Sequence, residues 1–150
     1  MSVIYIPITG SPEGKKAYKK ALSFAKRHNF EVVFIGILNI ELVNKLKRYR
    51  VFIEEEVGRY NDTMKKDIEK YLDFMIKEAK NMGVEAREVI LTGEPFFEIV
   101  NYIKNDNVDE KVLFVAKKTG GKCLKDILSK IERDLLLHTD ISILVIGEEL

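Results

Sequence analysis

The sequence predicts an α/β domain in which a parallel β-sheet carries helices on both of its faces. Short runs of apolar residues, each of the length of a strand buried on both sides, recur along the chain. Between them lie segments with an apolar residue at every third or fourth position, as in amphipathic helices. Strands and helices that alternate in this way are typical of a parallel sheet with right-handed crossovers.

The first two strands and the first helix follow from a change of pattern near residue 9. Val3–Ile8 is a continuous apolar run and predicts a strand buried on both faces. Ser11 is a good N-cap and Pro12 suits the first helical position, so a helix is predicted to begin there. The apolar residues along one face of that helix are Ala17, Ala21, Phe24 and Ala25. A second buried strand is predicted at Val32–Leu38.

The middle of the chain predicts a long helix and then a half-exposed strand. Apolar residues recur every three or four positions from Val57 to Met82, and Gly83 is suited to end the helix as its C-cap glycine. From Val84 to Val89 the residues alternate in character, as in a strand with one face in solvent.

The last third of the chain predicts a helix, a strand, another helix and a final strand. Pro95 is placed to open the first of these helices. Val112–Ala116 and Ile141–Ile146 are apolar runs and predict strands. Between them a single helix is predicted from the spacing of Leu124, Ile127, Leu128, Ile131 and Leu135.

Composition and charge limit the classes of function. The 150 residues fit one domain that spans residues 1–150. The 25 basic and 24 acidic side chains leave a net charge of +1, so the overall charge predicts no nucleic-acid partner. A net charge of +1 is still compatible with a local basic patch. No signal peptide and no apolar run of about 20 residues is present, which predicts a cytoplasmic protein without membrane contact. The absence of Gln beside abundant Lys, Glu and Ile is typical of thermophile proteins.

No catalytic or metal-binding residue is predicted. The single cysteine, Cys123, allows neither an internal disulfide nor a cysteine cage for zinc, and it is expected as a partly buried helix residue. His28 and His138 each come at the end of a predicted helix, where a histidine interacts with the terminal carbonyl groups. Ser129 and Asp134 share the predicted helix of His138, but not in the geometry of a catalytic triad.

Residues 39–56 form the least regular segment. Several Lys and Arg residues precede Val51–Ile53, and Glu54–Glu56 follow. The segment is compatible with a short helix or with a flap beside the sheet. Because the cluster Val51–Ile53 has no evident place in the core, we expect it to be a contact for a protein partner.

The final strand predicts self-association. Residues 141–146 are apolar at nearly every position, and the last strand of such a sheet is expected at an edge. An uncovered apolar edge promotes aggregation, so a second copy of the same strand is one expected cover, giving a symmetric homodimer. Coverage by a helix of the same chain is the alternative.

Four stretches of the chain resemble the universal stress protein family when their order and spacing are taken together. The run from Val3 to Ser11 looks like the family's first strand and the turn after it, and Gly93-Glu94-Pro95 resembles its turn into the third helix. Val112–Ala116 is similar to the fourth strand. The tail from Leu136 through His138 to Ile146 resembles the ending of the family. The resemblance covers essentially the whole chain and implies a Rossmann-like five-stranded sheet of order 3-2-1-4-5 that dimerises through its fifth strand.

The resemblance also implies a nucleotide signature, and this chain departs from it. In the nucleotide-binding members, three glycines and a Ser or Thr follow the fourth strand, where backbone amides and a helix N-terminus hold the phosphates. Aligned without gaps, these four positions are Ala116, Thr119, Ser129 and Lys130, and the acidic residue after the first strand is Thr9. Ordinary ATP binding is therefore not expected, although ATP is not excluded as a ligand.

A cluster of lysines occupies the same loop and leaves an anion site open as an alternative to a merely solvated surface. The candidate ligand-binding residues are Thr9, Gly10, Ser11, Ala116, Lys117, Lys118, Thr119, Gly120, Gly121, Lys122, Ser129 and Lys130.

The favoured function is a non-catalytic, dimeric stress-response module that acts through a protein partner. The alternative is a sensor that binds an adenine nucleotide or another anion in the cleft above the first and fourth strands. A slow nucleotide hydrolase remains open, without an identifiable base or metal carboxylate.

Overall fold

Five strands alternate with helices in the computed structural model, which describes residues 1–8, 15–39, 45, 48, 54–118 and 120–147. The strands are β1 (Ser2–Ile8), β2 (Glu31–Asn39), β3 (Ala86–Gly93), β4 (Glu110–Lys117) and β5 (Ser142–Gly147). The helices are α1 (Lys15–His28), α2 (Glu54–Asn81), α3 (Pro95–Asn105), α4 (Leu124–Ile127) and α5 (Lys130–His138). None of the helices in the described part of the chain combines the length and the apolar character needed to cross a membrane.

The strands form one sheet of order β3-β2-β1-β4-β5, and every neighbouring pair is parallel. This confirms the predicted α/β class and strand order. The chain moves outward from β1 to β2 and β3, then returns to the other side of β1 for β4 and β5. The order of the strands therefore reverses at β1, between β2 and β4.

A hydrophobic core lies on each face of the sheet. On one face, Ile4 and Ile6 of β1 pack with residues of α1 and α2. On the other face, Val3 and Tyr5 of the same strand pack with residues of α3 and α5. All four of these side chains are fully buried, as expected for a strand enclosed on both faces.

The two edge strands differ in character. β3 carries exposed Arg87 and Glu88, in agreement with the predicted half-solvated strand, although the strand runs to Gly93 rather than ending near Val89. β5 is apolar, and Val145 in its middle is 42% exposed. The end of β5 is held to α1, because the Lys20 ammonium group donates a hydrogen bond of 2.8 Å to the carbonyl oxygen of Gly147.

The helices correct the predicted boundaries in two places. α2 begins at Glu54, three residues before the predicted start at Val57, and ends near Gly83, which has the expected positive φ of 76°. The prediction of a single last helix was wrong: Leu128 and Ser129 are extended, and they separate α4 from α5. The apolar spacing continues across this break, so periodicity alone does not show it.

Of three other expectations, one is wrong and two fall wholly or mostly outside the described residues. Cys123 is not a partly buried helix residue, because it is exposed and extended at the N-cap of α4. The predicted start of α1 at Ser11 and Pro12 lies outside the described residues. So do the cluster Val51–Ile53 and most of segment 39–56.

A polar network fastens β1, β3 and the end of α3 together. The buried Tyr5 hydroxyl donates to Oδ2 of Asp106 at 2.6 Å. The Arg87 guanidinium donates to the same oxygen at 2.8 Å and to the Tyr102 hydroxyl at 2.8 Å. Burial raises the pKa of the Asp106 carboxyl, but the hydrogen bonds from Tyr5 and Arg87 outweigh it, and the pKa lies below its usual value.

Replacing Tyr5→Phe should lower the free energy of unfolding by about 1.5–3 kcal/mol, because a partly buried carboxylate loses a donor. Since the folded-state pKa of Asp106 is depressed, this contribution is fully present above the unfolded pKa of about 3.9. It is lost as the pH falls through the folded pKa. Urea unfolding of the wild type and the variant at several pH values measures both effects.

Tyr71→Phe is the matched control, because the buried Tyr71 hydroxyl has no hydrogen-bond partner among the described residues. Burial raises the pKa of Tyr71 to about 12. Removing this hydroxyl should leave stability unchanged or raise it. Equal losses in the two variants, or a loss for Tyr5→Phe that does not shrink in acid, would contradict the network.

Gly36 of β2 permits the close approach of α2. A methyl group at this position would overlap the Ile68 side chain and would lie 3.1 Å from Cδ1 of Leu72. A methyl group at the exposed Gly58 of α2 would have no atom of the described residues within 4 Å, apart from the backbone of its own helix. One glycine is therefore required by packing, and the other is not.

Gly36→Ala should destabilise the protein by about 1–3 kcal/mol through overpacking. Gly58→Ala should stabilise it by about 0.5–1 kcal/mol, because alanine is the better helix former. Thermal unfolding of both variants beside the wild type checks the pair. A stable Gly36→Ala protein would mean that α2 does not lie this close to β2.

Candidate functional site

A cavity of about 340 Å³ lies beside the carboxyl end of β4, between α1 and the segment that contains α4 and α5. Pro7 near the end of β1 and Ala116 near the end of β4 both line it. The cavity is therefore at the point where the strand order reverses. In open α/β sheets this crevice, outside the carboxyl ends of the strands, is the usual ligand site.

An aromatic wall forms one side of the cavity. Tyr18 of α1 and Phe114 of β4 both line it, and their ring centroids are 5.6 Å apart. Behind Tyr18 lies Tyr71 of α2, in an edge-to-face contact at 6.4 Å. Leu128 and Leu135 add aliphatic surface from the opposite side. This part of the lining suits an apolar or ring-shaped group.

The charged part of the lining is balanced. Lys118 and Lys125 contribute positive charge, and Asp126 and Glu132 contribute negative charge. Oδ2 of Asp126 accepts hydrogen bonds from the backbone N–H of Lys122 at 3.1 Å and from the Cys123 thiol at 3.5 Å. The bond from Lys122, aided by that from Cys123, lowers the pKa of Asp126, so this carboxylate is charged at neutral pH.

The N-terminus of α5 also faces the cavity. Ser129 is the N-cap, and its Oγ accepts from the backbone N–H of Glu132 at 3.3 Å. Oε1 of Glu132 accepts from the backbone N–H of Ser129 at 3.0 Å, which completes a capping box. The cap uses the serine oxygen as an acceptor, so its hydroxyl hydrogen can still be donated to a ligand.

The predicted site residues separate into three groups. Ala116, Lys118 and Ser129 line the cavity. The others that the structure describes are exposed and do not line it: Lys117, Gly120, Gly121, Lys122 and Lys130. Four lie outside the described residues: Thr9, Gly10, Ser11 and Thr119. The ungapped spacing assigns the hydroxyl position of the signature to Lys130, whereas the hydroxyl at the start of α5 belongs to Ser129, one residue earlier.

Several lining residues were not predicted. The pattern Ser-x-x-Glu at Ser129 and Glu132 is a capping-box signature, and it would have placed both residues at a helix start. Nothing in the local pattern indicates that Tyr18 and Lys125 come together. Within the described residues, no group of three or more His, Cys, Asp or Glu side chains could hold a metal ion.

Comparison with known proteins decides the family. The sequence model of the universal stress protein family matches residues 1–147. The chain belongs to the universal stress protein family. Among curated relatives, the universal stress protein YxiE of Bacillus subtilis is 26% identical over 125 residues, which cover 82% of each chain.

Solved structures share the fold of this universal stress protein. The protein MJ0577 superposes with a TM-score of 0.77 at 19% identity, over 99% of this chain and 96% of its own. The universal stress protein from Archaeoglobus fulgidus, solved in complex with dAMP, has a TM-score of 0.63 at 16% identity, over 97% of both chains. At these identities the likeness concerns the fold alone.

Proposed function

We propose that this universal stress protein is a non-catalytic, dimeric regulatory module of the stress response, and that two copies pair through β5. The observation that carries the proposal is the open apolar edge of β5. This strand hydrogen-bonds to β4 on one side, and no other described strand pairs with its outer side. A second copy would pair these backbone groups and cover Val145 at the same time.

Under the same proposal, this protein is cytoplasmic and does not bind ATP in the family's usual manner. Two observations support the departure from ATP. The Ala116 side chain lines the cavity at the position where the signature has its first glycine. The carboxylates of Asp126 and Glu132 also line it and offset the charges of Lys118 and Lys125, so the lining has no excess of positive charge to hold a triphosphate. The contact of Val51–Ile53 with a protein partner remains a prediction.

Val145→Lys tests the dimer. In a symmetric β5 pair the substitution brings two ammonium groups into one interface, so the dimer Kd should rise by about tenfold or more. Light scattering after size exclusion, over a series of micromolar concentrations, measures the change. The wild type is expected to elute as a dimer.

Phe97→Lys is the control, because Phe97 is 65% exposed but lies on α3, away from β5. It should leave the dimer intact. A monomeric wild type, or equal effects of the two variants, would refute pairing through β5.

We propose as a second candidate that the cavity binds an adenine mononucleotide, and that the module is a sensor. The cavity joins an aromatic wall to the N-terminus of α5, which suits a base and a phosphate respectively. The Archaeoglobus fulgidus relative holds dAMP, a nucleotide with one phosphate. Lys118 and the Ser129 hydroxyl are the groups proposed to hold the phosphate.

Calorimetric titration with AMP and with ATP tests the sensor. AMP should bind more tightly than ATP, because the balanced lining has no excess of positive charge to hold the additional phosphates. Lys118→Ala should weaken AMP binding by about 10- to 100-fold, since a charge-assisted hydrogen bond is lost. Raised salt should weaken binding of the wild type as well.

Lys117→Ala is the matched control, because it removes the same charge from an exposed residue that does not line the cavity. Its AMP affinity should stay close to that of the wild type. A wild type that ignores AMP, or equal losses in the two lysine variants, would exclude the sensor and leave the dimeric module.

A further inference from the structure

The charges of α1 are distributed very unevenly compared with the rest of the chain. Among the 25 Lys and Arg residues, six lie in this helix, and none of the 24 Asp and Glu residues does. The remainder of the protein is therefore net negative, although the whole chain has a net charge of +1. The nearly neutral net charge of the chain is therefore the sum of a strongly basic α1 and a net negative remainder.

The packing of α1 turns three of its basic residues toward solvent. Its buried residues are Ala17, Tyr18, Ala21, Leu22 and Ala25, which occupy the side that faces the sheet. Lys19, Lys26 and Arg27 are exposed on the outer side, with Ser23 between them. No carboxylate of the described residues lies within ion-pair distance of these three cations, although Lys26 lines a crevice together with Glu31 and Glu85. From Lys19 to Arg27 the helix rises about 12 Å.

The composition of this outer face does not fit a protein or membrane partner. Protein interfaces are depleted in lysine and depend on aromatic or aliphatic anchors at their centre. None of the described residues exposed on α1 is aliphatic, and the single exposed ring system, His28, contacts Phe24 of the same helix. Insertion into a bilayer would require the apolar side of α1, which is in the core.

A row of cations without apolar anchors does fit a polyphosphate. Lys and Arg contacts to phosphate oxygens supply most of non-specific nucleic-acid binding, and they need no pocket. A duplex carries one charge per about 1.7 Å of its axis, so about 12 Å of duplex holds about seven phosphates on its two strands, and a single helix face reaches those on its own side. We propose that the outer face of α1, formed by Lys19, Lys26 and Arg27, is a docking surface for the phosphate backbone of duplex nucleic acid, without sequence selectivity.

Fluorescence anisotropy with a labelled DNA duplex tests the surface. If three phosphates are neutralised, the logarithm of the affinity should fall with the logarithm of salt concentration with a slope of about −2.7. Between about 50 mM and about 200 mM salt the wild type should then lose about 40-fold in affinity, from a Kd of roughly 10⁻⁵ M at the lower salt. Two duplexes of unrelated sequence should bind alike.

Lys19→Glu should reduce the slope to about −1.8 and weaken binding by tenfold or more, because one contact is replaced by a repulsive charge. Lys104→Glu is the charge-matched control: Lys104 is exposed at the end of α3, on the opposite face of the sheet. The Lys104→Glu variant should bind the duplex with almost the affinity of the wild type. Circular dichroism of both variants checks that they fold.

The proposal is overturned if the wild type does not bind the duplex at the lower salt, or if Lys19→Glu and Lys104→Glu reduce the affinity for the duplex equally. It is also overturned if polyglutamate, or vesicles of anionic lipid, bind more tightly than DNA at equal ionic strength. The first of these ligands would indicate an acidic protein partner, and the second a membrane surface.

Discussion

The structure depends on the burial of β1 from both sides. Its consecutive residues alternate between the two cores, so Ile4 and Ile6 help to hold α1 and α2 while Val3 and Tyr5 help to hold α3 and α5. Because β1 is the central strand, both halves of the sheet are registered against it. A strand in this position leaves no room for a polar side chain on either face, except where the polar end reaches a partner. Tyr5 meets this condition, since its hydroxyl emerges at Asp106.

The reversal at β1 also creates the cavity. β2 and β4 pair with opposite sides of β1, and α1 and α5, which follow β1 and β4 in the chain, pack on different faces of the sheet. The space between these segments is lined by α1 on one side and by α4 and α5 on the other. The balanced charge of the lining is a consequence of helix capping, because Asp126 and Glu132 are the third residues of two successive helices. Fold stability and the proposed preference for AMP over ATP would thus depend on the same two carboxylates.

The sequence predicts well the features that depend on local patterns. The apolar run of β1, the glycine after α2 and the proline at the start of α3 each have one physical interpretation, and all three lie where they were expected. The break between α4 and α5 could not be found from apolar spacing. The buried, apolar Leu128 fits one continuous helix as well as two separate helices, so only the Ser129 cap distinguishes the two arrangements.

The candidate site was harder to predict because its parts come from distant segments. The family resemblance brought Ala116 and Ser129 to attention, and the cluster of lysines added Lys118; all three residues line the cavity. The cluster gave equal weight to Lys117 and Lys122, whose positions in the sequence do not show on which side of the loop their side chains lie. The contribution of Tyr18 depends on how α1 packs across the sheet, and no spacing within α1 contains that information.

α1 participates in three separate surfaces. Tyr18 lines the cavity, Lys20 holds the end of β5, and Lys19, Lys26 and Arg27 face solvent. A rotation by one residue, about 100° around the axis, would carry lysines into the core and alanines out of it, so the helix can occupy its place in only one orientation. Mutations that loosen its packing would therefore affect all three surfaces together. For evolution this is a pleiotropic constraint: α1 can change its outward residues one at a time, but it cannot be exchanged as a unit.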